Sequence, residues 1–183
     1  GDSRGRVTDN LTLITTDSDR NDPDSDSNVR GQLQLLWCDF TGGSGGIFGL
    51  GVAVNHARWE GPTRDILVTS PVVDIIFGYG VAFTRNWHAE LTPFVGLGRA
   101  YYSVEQNDDT STSKEWTHYF EYGAKIGTYV TSDNGFQLGI EVPYLVGHID
   151  ADYRYDSDNK TFSGSDDVRN QGFGFLVTIG KRF

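Results

Sequence analysis

The chain has no Met, one Cys, five Pro and no apolar stretch approaching the roughly eighteen residues of a membrane-spanning helix. Each shortage excludes something. Cys38 alone rules out an internal disulfide framework, and one thiol builds no metal cluster. No Cys stands at position 1 to carry a lipid anchor. Lys and Arg number 15 against 25 Asp and Glu, and a net charge of −10 lacks the basic footprint that nucleic acid requires. The missing Met, even at position 1, is what a chain released from a cleaved leader would show. No internal repeat with a period of about 20–50 residues is visible.

What is present favours strands and turns: Gly 23, Phe 11, Tyr 9 and Trp 4. Only 37% of residues are hydrophobic, so a hydropathy reading alone would pass the chain as soluble. A barrel strand, however, needs only about ten residues with alternate ones apolar. Period-2 alternation recurs and predicts strands near 5–16, 29–40, 46–59, 66–84, 87–105, 115–131, 136–153 and 168–183. Short connections fall at Thr41–Gly45, Arg85–Asn86 and Asp133–Gly135, and long ones at Asp17–Asn28, Glu60–Asp65, Gln106–Lys114 and Arg154–Asp167. Short turns at one end and long loops at the other require an even strand count when both termini share the short-turn end. The expected fold is all-β: one domain over 1–183, an eight-stranded antiparallel up-and-down transmembrane β-barrel.

Parity decides which face meets lipid. Phe173, Phe175, Val177, Ile179 and Phe183 share one face of the last strand, opposite Gly172, Gly174, Thr178, Gly180 and Arg182. Phe136, Leu138, Ile140, Val142, Tyr144 and Val146 oppose Gln137, Gly139, Glu141, Pro143 and Gly147 in the same way. The polar face reads as too small and too polar for a core, so the apolar face is expected to point out into lipid. Trp37, Phe48, Phe83, Trp87, Phe136 and Phe183 fall on that outward parity beside the short turns or the C-terminus. They are expected to form a ring at the periplasmic membrane interface, with Tyr101, Trp116, Phe120 and Tyr144 at the other.

The last strand, Gly172 to Phe183, resembles the C-terminal assembly signal of outer-membrane proteins: alternating apolar residues and a terminal Phe. Lys181 stands where that signal usually carries an aromatic. The whole chain is similar in architecture to small eight-stranded barrels of the outer membrane protein X and opacity types. That resemblance implies the bacterial outer membrane, the assembly machinery as a partner during biogenesis, contact with outer-membrane lipids and lipopolysaccharide, and a possible protein partner at the loops. The lipid A 3-O-deacylase family, also eight-stranded, carries a lipid-facing His-x-Ser-Asn motif on its seventh strand and an acid on its last. Here His148 falls on the outward parity, but Asp150 and Ala151 replace the Ser and Asn, and Arg169 and Gln171 stand where the acid should be. The chemistry needs a hydroxyl activated by the His, so His148 and Asp150 are weak catalytic candidates and an enzyme is not expected.

Inward parity collects Arg30, Cys38, Asp74, His88, Glu90, Glu121, Lys125, Glu141 and Arg182. The tight turn at Asp133–Gly135 makes residues whose numbers sum to about 268 face each other, which brings Glu141 within reach of Lys125. Glu121 lies further along the same face, and Lys125 is expected to neutralise both acids. The cluster reads either as an ion path or as a salt-bridged plug; an eight-stranded lumen, just wide enough for side chains, favours the plug. The long connections hold Asp17, Asp19, Asp22, Asp24 and Asp26, then Asp108 and Asp109, then Asp156, Asp158, Asp166 and Asp167. Alternate acids at Asp22, Asp24 and Asp26 are weak candidates for a divalent cation, without the Gly and distal Glu of a calcium hand loop. No cofactor is implied. Three tasks follow: a structural or surface-interaction barrel, a lipid-modifying enzyme, or a narrow channel.

Overall fold

The computed structural model describes residues 4–16, 27–38, 40–60, 64–106, 112–157 and 160–182. Eight strands form a closed barrel in chain order: β1 (Arg4–Thr16), β2 (Ser27–Cys38), β3 (Ser44–Glu60), β4 (Arg64–Ala82), β5 (Trp87–Gln106), β6 (Thr112–Thr131), β7 (Phe136–Ser157) and β8 (Lys160–Arg182). Every neighbouring pair is antiparallel, and β8 returns to pair with β1. Full closure leaves no unpaired edge across the lipid-facing part of the sheet. Short turns close one end. Gly43 donates to the Phe40 carbonyl at 3.1 Å with φ of +94°, and Gly135 donates to Ser132 at 2.9 Å with φ of +84°.

One expected connection is mostly ladder. The acids of Arg154–Asp167 read as a loop, but β7 and β8 stay paired from Asp150 opposite Asp167 up to Ser157 opposite Lys160. Acids break a strand where lipid surrounds it, and this ribbon rises beyond its pairing with β6, which ends at Tyr119 opposite Ile149.

Among the described side chains, on β2 to β8, the outer face is largely apolar, with Leu97 68%, Phe173 66%, Ile126 65% and Phe175 57% exposed. Monomeric soluble proteins rarely expose contiguous apolar patches beyond a few hundred Å², so lipid is the solvent that fits this surface. Among the described residues no helix is long and apolar enough to cross a membrane; the crossing is made by strands.

The lumen departs from the expected reading. Its wall positions are not too small for a core, because each glycine makes room for a large neighbour on the next strand. One row runs Leu36, Gly49, Ile76, Phe94, Gly123, Leu145 across β2 to β7. Those large residues, with Cys38 and Ile47 and with Phe40 packed against them, form an apolar cluster inside the barrel. The adjacent row runs Gln34, Gly51, Asp74, Gly96, Glu121, Gly147. A second apolar cluster of Ile66, Val68, Val72, Ala100, Tyr102, Tyr119 and Ile149 fills the end nearer the long connections. Sequence parity sorted most of the faces, but Val146, expected on the outward face of β7, is buried, and parity missed this alternation of large and small across strands.

Candidate functional site

The most concentrated chemistry among the described residues lies in the lumen. Arg30 on β2 reaches across the barrel: its Nη2 is 2.7 Å from Asp74 Oδ2 on β4, and its Nη1 is 2.6 Å from Glu121 Oε1 on β6. The second contact is ionic rather than an aligned hydrogen bond. Arg30 Nη1 also donates to Asn55 Oδ1 at 2.8 Å, and Asn55 Nδ2 donates to Glu121 Oε2 at 2.8 Å and to Tyr119 Oη at 3.2 Å. Gln32 Nε2 donates to Asp74 Oδ2 at 2.5 Å. Asp74 and Glu121 are fully buried, where an unpartnered charge would be heavily penalised. The guanidinium also lies over the Phe94 ring, 5.6 Å from its centre.

A second polar group lies below the apolar row. Lys125 Nζ is 3.3 Å from Glu141 Oε2, and Glu141 Oε1 accepts from Tyr129 Oη at 2.8 Å and from Thr178 Oγ1 at 2.7 Å. Towards the short turns His88 Nε2 is 3.0 Å from Glu90 Oε1 and 3.2 Å from Gln137 Nε2, and its ring stacks on Tyr129. The expected pairing is therefore divided. Lys125 meets Glu141, while Glu121, two inward positions along β6, meets Arg30. The reason is barrel closure: a hairpin register gives contacts along the wall, but partners across a narrow lumen come from strands distant in sequence. Arg30 carried an inward-parity signal, yet nothing in the chain alone singled it out as the hub. The side chain of Arg182 lies outside the described residues.

Trp37, Phe48, Phe83, Trp87 and Phe136 are all exposed beside the short turns. Trp37 stacks on Phe48 with centroids 6.3 Å apart, Phe83 packs on Trp87 at 4.6 Å, and Trp87 Nε1 donates to Thr128 Oγ1 at 2.7 Å. Phe183 lies outside the described residues. Towards the other end Tyr101 pairs with Trp116 at 5.4 Å and Tyr144 with Phe173 at 4.8 Å.

His148 is half-buried and stacks on Tyr122, with centroids 6.0 Å apart. It stands opposite Phe120 on β6 and opposite Arg169 on β8. Asp150 is two residues further along the strand, and its side chain lies outside the described residues. Thr128, the outward hydroxyl of β6, is paired with Ile140 and bonded to Trp87 at the short-turn ring, eight residues from Phe120. Asp22, Asp24 and Asp26 lie outside the described residues, and among those described no three His, Cys, Asp or Glu are placed to hold a metal ion.

No family model matches the chain, and no curated protein matches it in sequence. Solved structures do. Ail, the attachment invasion locus protein of Yersinia pestis, in complex with the heparin analogue sucrose octasulfate, aligns over 100% of both chains with a TM-score of 0.56 and 14% identity. Neisserial surface protein A aligns over 98% of this chain and 97% of its own with a TM-score of 0.52 and 13% identity. A major outer membrane protein from Thermus thermophilus gives a TM-score of 0.52 at 10% identity over 98% and 99%. Likeness at this identity shows the fold, and the apolar outer face supplies the solvent. The chain is an integral β-barrel of the bacterial outer membrane.

Proposed function

We propose that the protein is a sealed surface barrel, whose transmembrane part is an anchor and whose task lies with outer-leaflet lipids and with a partner at its long connections. The observation that carries this is the filled lumen. Polar rows around Arg30 and Lys125 are separated by the apolar row of Leu36, Ile76, Phe94 and Leu145 and closed above by the cluster around Ile149. Ions crossing that path would have to shed water against apolar side chains. Five aspartates between Asp17 and Asp26 argue against a sulfated polysaccharide as the ligand of that connection here.

Planar-bilayer recording tests the seal. The refolded chain is expected to add no steady conductance above the protein-free membrane, and resolved unitary steps would overturn the reading. Lipid chemistry gives an independent check. Mass spectrometry of lipid A from cells with and without the expressed protein is expected to give the same acylation pattern. Loss of one acyl chain that disappears with His148→Ala would promote the enzyme reading instead.

A further inference from the structure

The outward face changes character on one side of the barrel, near the long connections. In hydrogen-bonded rows across β5, β6 and β7, Leu97 faces Phe120 and Phe120 faces His148. The next outward row towards the long connections sets Arg99 directly opposite His118, and the row after that sets Tyr101 opposite Trp116. Lys114 follows beyond Trp116 on β6. Arg99, His118 and Lys114 are exposed, and no described carboxylate meets any of them. The preceding strands differ: Arg58 on β3 is 3.3 Å from Asp65 on β4, and His56 is 3.0 Å from the Thr69 hydroxyl.

In a chain of net charge −10, cations gathered at one height on one face need a reason. Arg99 and His118 lie between an apolar row and an aromatic pair, which places them in the interfacial zone rather than in open water. Directly opposed residues on neighbouring strands have Cβ atoms about 5 Å apart, and His148 is a diagonal neighbour of His118 at about 7–8 Å. These side chains therefore offer N–H donors to one headgroup at the depth of lipid phosphates. The other titratable groups nearby are Glu115, exposed on the alternate parity of β6, Arg169, opposite His148 on β8, and Asp150, next along β7 from the partner of Tyr119 and itself opposite Asp167.

We infer that Arg99, His118 and His148, backed by Lys114, form a docking face for the phosphates of an outer-leaflet glycolipid, lipid A in chemical class. The inference rests on the surface-barrel reading and gives it a specific lipid contact. Trp116 and Tyr101 would cover the sugar, while Leu97, Phe120 and Tyr122 meet the acyl chains.

The full chain is refolded in phosphatidylcholine bilayers containing bisphosphorylated lipid A, dephosphorylated lipid A or phosphatidylglycerol. Lipid kept after exchange against excess phosphatidylcholine is counted by native mass spectrometry. Wild type should keep bisphosphorylated lipid A at least roughly tenfold better than either alternative, and the pair Arg99→Glu with His118→Glu should lose that preference. Arg58→Glu, on the paired side, should keep it. Arg99→Gln with His118→Gln supplies a milder version, and the mobility difference between unheated and boiled samples on a gel confirms folding of each variant. Equal retention by wild type and the charge-reversed pair would overturn the site, as would an equal loss in Arg58→Glu or equal retention of phosphatidylglycerol. Conductance or deacylation by wild type would sink the sealed-barrel reading separately, since neither changes the count of bound lipid.

Discussion

Replacing Arg30 with Ala is expected to be the most damaging single truncation in the lumen. Breaking one buried ion pair by removing a partner costs about 3–5 kcal/mol. Arg30 holds two carboxylates, Asp74 and Glu121, both fully buried. Its loss leaves both without their cation. Lys125→Ala should cost less, because Glu141 keeps the hydroxyls of Tyr129 and Thr178. Arg58→Ala should cost about 0–1 kcal/mol, since its side chain is 51% exposed and its pair with Asp65 is screened. Denaturant midpoints of the three variants, refolded in the same vesicles, should fall in that order. Adding Asp74→Asn and Glu121→Gln to Arg30→Ala should recover much of the loss by removing the stranded charges. Coincident midpoints for Arg30→Ala and Arg58→Ala would refute the hub.

Gly96→Leu is expected to prevent folding outright. A Cβ at Gly96 would collide with Asp74 Oδ1 and stand 2.7 Å from Val72 Cγ1 and 2.8 Å from Glu121 Cγ. The two acids belong to the buried polar row, so relief would have to come from breaking the Arg30 contacts. Overpacking a filled core costs about 1–3 kcal/mol, occasionally more, and here it adds to a disrupted ion network. Gly46→Ala makes the contrast, because a Cβ there has nothing within 4 Å. The unheated gel band should vanish for Gly96→Leu and persist for Gly46→Ala. A folded Gly96→Leu of unchanged stability would show that the lumen has slack.

Much of this architecture was legible in the chain. Period-2 parity separated Phe173, Phe175 and Val177 from Gly172, Gly174 and Thr178, because lipid tolerates only one kind of side chain. The turn after β6 fixed the register, and Lys125 faces Pro143 while Gly127 faces Glu141, each pair summing to 268 as expected. Two things were hidden for different physical reasons. Contacts across the lumen depend on which strands face each other after closure, so Arg30 with Asp74 and Glu121 had no local signature. The upper ribbon of β7 and β8 was read as loop because acids such as Asp156 and Asp166 were taken as the mark of a solvated connection. The outward nitrogen-bearing side chains had a readable signal in Arg99, His118 and His148 on outward parity, but three single positions on three strands form a group only once the register aligns them.

The pairing of many large inward residues with a glycine on a neighbouring strand also governs how such a chain can change over time. A lumen position cannot enlarge alone: growth at Gly49 would meet Leu36, and growth at Gly139 would meet the Tyr129 ring. It can enlarge if its neighbour shrinks, so substitutions inside the barrel should arrive as compensating couples along a hydrogen-bonded row. Outward positions face only lipid, and any apolar side chain serves there independently of the next. Descendants of one ancestral barrel would then drift freely on the outside and in linked steps on the inside. Co-variation among relatives of this chain should be concentrated along the rows through Gly49, Gly96 and Gly139, with little of it on the lipid-facing surface.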